Sequence, residues 1–253
     1  MTELQIFNFW LYAWFILGIP VFIVLFFVKA PYGRYSKKGW GPLINKRLAW
    51  YLMEVPSFIF FAVLFFLGDH HNSFIAWIFL LLWEAHYLHR GLIYPLQLRG
   101  TIKHMPLSII LFSVFFNLIN CYFNAQWLFH YSGGYPEKWY FDWRFLAGVG
   151  VFIIGFIINR QADFQLRKLR KPGENAYKVP QGGLFNLVAS PNYFGEIIEW
   201  AGWALATWSL AGLSFAFWTF VNLAPRARSH QHWYRKNFPS YPVKRKAVFP
   251  WLW

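Results

Sequence analysis

The chain is dominated by seven long apolar runs that are separated by short polar segments. Each run has roughly 17 to 25 residues, and a helix of that length crosses the hydrocarbon core of a bilayer because each residue adds about 1.5 Å. The pattern therefore predicts seven membrane-spanning helices. They lie near residues 5–28, 49–67, 74–96, 106–130, 145–166, 193–208 and 210–225.

The composition excludes a water-soluble fold. Of the 253 residues, 57% are hydrophobic and only 13% are charged, whereas soluble proteins average about 25% charged residues. The single cysteine, Cys121, rules out an internal disulfide, so the fold depends on helix packing. Because no repeat or Gly/Ser linker divides the chain, we predict one all-α membrane domain over residues 1–253.

The basic residues predict how the helices are oriented, since Lys and Arg concentrate in cytoplasmic loops. The loops after the first and fifth runs are rich in them, whereas residues 68–73 have none and residues 131–143 have only Lys138. Seven spans then place the N-terminus outside or in the lumen and the C-terminus, with the basic tail at 226–253, in the cytoplasm. The net charge of +14 thus reflects topology, and we predict no nucleic-acid partner.

Several polar side chains fall inside the apolar runs. An ionisable group there costs about 2.5–3.5 kcal/mol on insertion scales, so a cluster of them indicates a polar interior or a ligand. Asn159 and Asp163 share one helical face, as do Asn192, Glu196 and Glu199. The two stripes predict a polar cavity near the inner membrane face. The alternative is that these groups only hydrogen-bond neighbouring helices and hold the bundle together.

The segment between these stripes, residues 166–192, is rich in Pro, Gly and cations. Arg170 can neutralise phosphate charge, and Gly182 and Gly183 allow close approach of the backbone to a ligand. An ordinary cytoplasmic loop would carry the same charge, so this alternative stays open. The chain has no GxGxxG sequence and no GxxxxGK followed by Ser or Thr, which excludes a Rossmann or P-loop cofactor site.

The histidines do not indicate a metal site. His70 and His71 lie in a short outer loop without a set of acidic or cysteine partners. His230 and His232 form a second pair, but neighbouring arginines would repel a cation. We therefore predict no bound metal.

Five long segments resemble the steroid 5α-reductase family, and the resemblance extends from about Tyr32 to the C-terminus. The segments are EVPSF at 54–58, HYLHRGLIYP at 86–95, LRKPGENAYKVPQGGLF at 169–185, NYFGEIIEW at 192–200 and FPSYPVKRKAVFP at 238–250. The resemblance implies a seven-helix enzyme that uses NADPH to reduce the C4–C5 double bond of 3-oxo-Δ4-steroids such as testosterone or progesterone.

The resemblance also implies the catalytic pair. Glu54 and Tyr87 would hydrogen-bond the 3-keto oxygen of the steroid and polarise the enone while hydride reaches C5. Because the carbonyl needs a donor, we expect Glu54 to be protonated, or to share a proton with Tyr87, in the working state. The alternative is that Glu54 only bonds to a neighbouring helix.

The cofactor contacts that the resemblance implies coincide with the polar stripes and the basic segments. Amides and carboxylates suit the nicotinamide amide and the ribose hydroxyls, whereas arginines and His230 suit the phosphates. The implied contacts are Asn159, Asp163, Arg170, Tyr177, Asn192, Glu196, Arg226, His230 and Tyr234, with Tyr32, Arg90, Tyr94 and Arg99 in addition.

Two other functions remain to be weighed. A reductase of another lipid enone or of a polyprenol would use the same fold. A transporter-like helix bundle is disfavoured, because the chain has no inverted repeat and its polar groups gather towards one face. We expect a monomer whose partners are a lipid-soluble steroid and membrane lipids, in the endoplasmic reticulum of a eukaryote or the inner membrane of a bacterium.

Overall fold

The computed structural model describes residues 1–31, 33–35, 39–99, 104–169, 174 and 176–253. Within these ranges the chain is mostly helical, and seven helices have 14 residues or more. They are α1 (Glu3–Phe27), α2 (Lys46–Leu67), α3 (Phe74–Tyr87), α4 (Leu107–Gln126), α5 (Trp143–Lys168), α6 (Pro191–Thr207) and α7 (Leu210–Asn237).

Two of these helices widen into π-helix at their C-terminal ends. Leu88–Ile93 continues α3 and leads into a last α-helical turn at Tyr94–Leu96, while Trp127–Tyr131 continues α4. Short 3-10 helices occupy connecting segments, at Gly33–Tyr35, Glu137–Phe141 and Gly183–Asn186. Short π-helical segments often accompany functional sites, and the segment Leu88–Ile93 directly follows Tyr87, a predicted catalytic residue.

Four helices are long and apolar enough to cross a membrane, as expected for an integral membrane protein. They are α1, α2, α5 and α4 together with its π-helical end, Leu107–Tyr131. These four agree with predicted spans. The count of seven spans and the placement of the two termini remain predictions.

The helix ends agree closely with the ends of the apolar runs, except in α7. This helix continues to Asn237, beyond the predicted end at residue 225. The extension stays helical because one of its faces remains buried: Ala224, Ala227, Gln231 and Tyr234 recur at three- and four-residue spacing. Apolarity alone missed it because the opposite face is basic.

The segment after α7 folds back onto the loop that precedes α6. The backbone N–H of Lys246 donates to the carbonyl of Leu187 (2.8 Å), and that of Ala189 donates to the carbonyl of Lys246 (2.8 Å). The buried Arg245 donates from Nη1 to the carbonyl of Pro180 (3.0 Å). The tail therefore fixes the loop that leads into α6.

A two-stranded antiparallel ribbon departs from the purely helical expectation. Strand β1 (Leu43–Asn45) pairs with β2 (His104–Pro106), with Ile44 opposite Met105. Each strand has three residues, and the two strands share only Pro106 with the apolar runs, so no hydrophobic pattern marked the ribbon. The ribbon ties the start of α2 to the start of α4.

Aromatic side chains fill the half of the bundle that is remote from the tail. Phe61 of α2 and Trp83 of α3 stack in parallel with ring centroids 4.1 Å apart. The buried Trp203 of α6 donates from its indole N–H to Oδ1 of Asn124 (2.8 Å). The cavity that holds the polar side chains of the bundle lies in the other half.

Helices α5 and α6 touch through glycines. A Cβ atom on Gly155 would overlap the backbone of Glu199, and a Cβ atom on Gly195 would overlap the backbone of Asn159. Gly148 and Gly202, one heptad away on each helix, make equivalent approaches. Small residues commonly allow such close contact between membrane helices. The contact brings the two predicted polar stripes against each other.

We predict that Gly155→Ala lowers the thermal stability of the detergent-solubilised protein by about 1–3 kcal/mol, because the added methyl group must push the helices apart. Gly150→Ala is the matched control: it lies on the same helix, is exposed, and its added Cβ would meet no atom within 4 Å. This control should be neutral or stabilising by about 0.5–1 kcal/mol. Equal effects of the two substitutions in a thermal melt would contradict the glycine contact.

Candidate active site

A cavity of about 580 Å³ lies between α1, α2, α3, α4, α6 and α7. Its wall is mostly apolar, with a few polar groups that converge on the interior, as is typical of sites for small lipophilic ligands. The polar side chains that line it include Glu54, His86, Tyr87, Arg90, Asn117 and Glu196.

The local structure of α2 and α3 sets Glu54 beside Tyr87. Gly91, in the π-helical turn of α3, lets the two helices approach, since a Cβ there would lie 3.3–3.5 Å from the backbone of Val55 and from Glu54. The amide of Asn117 in α4 donates to the carbonyl of Met53 (2.8 Å) and, at 3.5 Å, to the Glu54 carboxyl. The Glu54 carboxyl is thus contacted from a third helix.

Tyr87 is 2% exposed and lines the same cavity as Glu54. The two groups are close enough to interact electrostatically. The Ser57 hydroxyl, on the next turn of α2, is buried near the Tyr87 phenol and has no hydrogen-bond partner among the described residues. A phenol and a protonated carboxyl side by side can both donate to one carbonyl oxygen. The arrangement can therefore stabilise negative charge that develops on such an oxygen.

The two polar stripes of α5 and α6 meet in a hydrogen-bonded network. The Asn159 amide donates to the carbonyl of Asn192 (2.9 Å) and to the Glu196 carboxylate (3.2 Å). The Asn192 amide donates to Asp163 (3.3 Å). Arg90 of α3 pairs with Asp163 at 3.2 Å and with Glu196 at 3.8 Å. These five predicted cofactor contacts lie together in the structure.

Glu199 departs from the predicted stripe. It is fully buried, pairs with His86, and does not line the cavity. The physical reason is helical geometry: three residues advance an α-helix by about 300°, so Glu199 is rotated by about 60° from Glu196. The prediction that all three α6 residues face one cavity is therefore wrong for Glu199.

A second, smaller cavity of about 220 Å³ adjoins the first, and both are lined by Trp50, Met105 and Arg226. Its described lining carries six Lys or Arg side chains but one carboxylate, Asp163. Such an excess of positive charge suits phosphate groups. Of the predicted cofactor contacts, those that line it are Tyr94, Arg99, Asp163, Tyr177, Asn192, Arg226, His230 and Tyr234.

Two predicted contacts, Tyr32 and Arg170, lie outside the described residues. Tyr94 packs edge-on against Trp50 with ring centroids 5.0 Å apart. The Arg90 guanidinium lies over both of these rings, at 4.6 Å from Trp50 and 4.8 Å from Tyr94. Arg99 is exposed at the rim of the smaller cavity.

Arg34 is a functional candidate that the sequence did not single out. Its guanidinium lies over the rings of Tyr177 (4.8 Å), Trp233 (4.5 Å) and Tyr234 (4.8 Å). The buried Nη1 has no hydrogen-bond partner among the described residues. A stacked arginine with a free donor fits an anionic ligand group. The only signal in the sequence was its positive charge in a basic loop.

Tyr35 is a second group that the sequence did not mark. Its ring stacks on His230 with centroids 5.9 Å apart, and its buried hydroxyl has no partner in the described part of the chain. Burial raises the pKa of Tyr35 to about 12, against the opposing effect of Arg34 and Arg226. The phenol therefore keeps its proton and can donate to a ligand.

His230 is neutral at physiological pH. Burial, reinforced by the charges of Arg34 and Arg226, lowers its pKa well below the usual value of 6.5. In the unfolded chain His230 has the ordinary pKa, so below about pH 6.5 the unfolded state binds a proton that the folded state does not. Stability due to this group is therefore complete above about pH 6.5 and is lost as the pH falls.

We predict that the melting temperature of the ligand-free protein falls between pH 7 and pH 5.5 more steeply in the wild type than in His230→Gln. The limiting slope for one such group is about 1.4 kcal/mol per pH unit. The exposed His232, two residues further along α7, provides the matched control His232→Gln, which should keep the wild-type slope. Equal slopes in all three proteins would show that His230 is not held neutral by burial.

Comparison with known proteins assigns the family. The sequence profile of the 3-oxo-5-alpha-steroid 4-dehydrogenase family matches residues 103–253. Steroid 5-alpha-reductase DET2 of Gossypium hirsutum is 42% identical over 256 residues, which cover 100% of this chain and 99% of that protein. The 3-oxo-5-alpha-steroid 4-dehydrogenase 1 of Bos taurus is 40% identical, with 93% of each chain covered.

A further relative is 3-oxo-5-alpha-steroid 4-dehydrogenase 2 of Mus musculus, which is 42% identical over 240 residues and 91% of each chain. With such identity over nearly the whole length, the chain belongs to the 3-oxo-5-alpha-steroid 4-dehydrogenase family of oxidoreductases.

Proposed function

We propose that this protein is a membrane-embedded reductase that uses NADPH to reduce the C4–C5 double bond of a 3-oxo-Δ4-steroid to the 5α-dihydrosteroid. One observation carries the proposal: an apolar cavity that holds Glu54 and Tyr87 is joined, through shared lining residues, to a strongly basic pocket. The first suits a lipophilic enone and the second suits the phosphates of a dinucleotide. The names of the relatives support the steroid class.

Glu54 and Tyr87 act on the carbonyl in this proposal. Protonated Glu54 and Tyr87 each donate a hydrogen bond to the 3-keto oxygen of the steroid. These bonds strengthen as negative charge moves onto the oxygen, so they lower the energy of the transition state more than that of the bound substrate. When bound, NADPH supplies the hydride that C5 receives, and a proton is then added at C4.

Asn117 and Ser57 position this pair. The Asn117 amide bonds the backbone carbonyl that precedes Glu54 and approaches its carboxyl. The buried Ser57 hydroxyl lies near the buried Tyr87 phenol and has no partner among the described residues, so it is available to hold that phenol. A donor pair that is held in place before the substrate arrives needs no reorganisation during the reaction.

The cofactor is held at both ends in the proposal. Asn159, Asn192 and Glu196 bind the amide and ribose hydroxyls at the reacting end. Arg34, Arg226 and His230 bind the phosphates, together with Arg170 of the adjoining loop. Two buried donors near the basic pocket, Nη1 of Arg34 and the Tyr35 hydroxyl, have no partner among the described residues. They are the observation on which this fit depends, because buried donors normally have an acceptor.

The membrane arrangement is also proposed. The single domain of residues 1–253 forms seven spans, with the N-terminus outside or in the lumen and the C-terminus in the cytoplasm. This orientation puts the basic pocket at the cytoplasmic face, where NADPH is available, and opens the apolar cavity within the bilayer, where a steroid partitions. We propose a monomer, since one chain lines both cavities.

We predict that Glu54→Ala lowers the single-turnover rate of testosterone or progesterone reduction about 100- to 1,000-fold, the usual effect of removing one oxyanion donor. Glu54→Gln should lose at least about tenfold, and both should bind NADPH as the wild type does. Glu84→Gln, an intramembrane acid of α3 outside the cavity lining, is the control and should stay active. The product would be identified by mass spectrometry.

Full turnover in Glu54→Ala would contradict the carbonyl role. If the wild type binds NADPH but reduces neither steroid, the substrate is another lipid enone or a polyprenol. If NADPH does not bind, the proposed function is wrong.

We predict that Arg34→Ala weakens NADPH binding about 10- to 100-fold and leaves NADH binding nearly unchanged, because a charge-assisted hydrogen bond to the 2′-phosphate is lost. Arg228→Ala is the matched control, since Arg228 is an exposed arginine of α7 outside the basic pocket. Dissociation constants measured by isothermal titration calorimetry would test this. An equal loss for both dinucleotides would exclude Arg34 as the 2′-phosphate contact.

A further inference from the structure

His86 and Glu199 form a buried pair beside the central cavity. Nδ1 of His86 lies 2.7 Å from Oε1 of Glu199, with the two side chains 7% and 0% exposed. The imidazole also packs against the rings of Tyr87 (5.0 Å) and Trp200 (4.8 Å). These contacts hold the ring at the point where it lines the cavity.

The carboxylate decides which nitrogen of His86 carries the proton. An ionised carboxylate only accepts, so with Glu199 ionised Nδ1 bears the hydrogen and Nε2 keeps its lone pair. Since Nδ1 is engaged by Glu199, Nε2 is the ring nitrogen available to a ligand, and in this tautomer it is a hydrogen-bond acceptor.

The position of His86 selects which part of a ligand it can meet. It precedes Tyr87, which is assigned to the reacting carbonyl, and it lies close to Glu196, which belongs to the polar network. A hydride donor and its acceptor must be in contact for transfer. His86 lies between Tyr87 and the polar network, so in the proposed function it faces the nicotinamide end of the cofactor.

We infer that His86 is a cofactor-binding residue whose Nε2 accepts a hydrogen bond from the carboxamide NH₂ of the nicotinamide, while Glu199 sets its tautomer. The inference rests on the proposed function. The carboxamide NH₂ has two N–H donors, and the nearby Glu196 carboxylate provides the second acceptor. Together the two acceptors fix the orientation of the carboxamide and, through it, the face of the ring that is turned to the steroid.

The test compares NADP⁺ with its 3-acetylpyridine analogue, in which an acetyl group replaces the carboxamide and the NH₂ donor is lost. The full-length protein in detergent should bind NADP⁺ about tenfold more tightly than the analogue by isothermal titration calorimetry. In His86→Leu the affinity for NADP⁺ should fall severalfold while the affinity for the analogue hardly changes. The preference for NADP⁺ should therefore shrink towards that provided by Glu196 alone.

His86→Leu leaves the Glu199 carboxylate buried without its partner, which can prevent folding. The double variant His86→Leu/Glu199→Met removes both members of the pair, and such apolar replacements are often neutral or stabilising. It should show the same reduced preference. Arg34→Ala is the control for a general loss of affinity, since it should weaken NADP⁺ and the analogue by the same factor.

An unchanged preference in a folded His86 variant would overturn the inference and leave the proposed function intact. A fall in both affinities by one factor, as in the Arg34 control, would overturn it in the same way. Failure of the wild type to bind NADP⁺ would instead refute the proposed function, and the inference with it, before any variant is compared.

Discussion

The backbone contact between α5 and α6 is the constraint on which the rest of the site depends. Gly155 and Gly195 each face the backbone of the opposite helix at a position where a methyl group would overlap it. Because the helices are this close, the short side chain of Asn159 reaches both the carbonyl of Asn192 and the carboxylate of Glu196. A wider separation would leave these polar groups unpaired inside a membrane, where each unsatisfied group costs several kcal/mol.

Charge compensation then divides the two cavities. In the polar network beside the central cavity, Arg90 faces Asp163 and Glu196, and Arg160 lies 3.6 Å from Asp163, so cations and anions are balanced. Buried charges are tolerated when they are paired in this way. The described lining of the basic pocket carries six cations and one carboxylate, and one of the cations, Lys178, pairs with Glu174 at 2.7 Å. The excess of positive charge falls where the proposed cofactor would carry phosphates, and the mostly apolar cavity is left for the reacting groups of the proposed steroid and nicotinamide.

Much of this structure could be predicted from the sequence, and the exceptions share a cause. The apolar runs located the seven long helices, and the helical spacing of Asn159, Asp163, Asn192 and Glu196 anticipated their meeting. Both signals are patterns that repeat along one segment of the chain. The pairing of His86 with Glu199 leaves no such pattern, because it joins α3 to α6 across 113 residues of sequence.

The same limit applies to the loop residues. Arg34 is a candidate because it stacks on three rings, which come from the segment before α6 and from the extended part of α7. Neither segment is apolar enough to have been predicted as part of the bundle. The ribbon β1–β2 and the returning tail are likewise held by contacts between distant segments. Local patterns predict elements, whereas such partners depend on how the elements pack.

Helix α3 links the two halves of the proposed chemistry. Within one turn and its π-helical continuation it presents Tyr87 towards Glu54, His86 towards Glu199 and Arg90 towards Asp163. The wider π turn changes the angular spacing of the side chains, which lets neighbouring residues serve different helices. If these groups hold the steroid carbonyl and the nicotinamide, one helical segment sets the distance between hydride donor and acceptor. That distance is then fixed by a packed helix, and not by a mobile loop, which is the arrangement that favours rapid transfer.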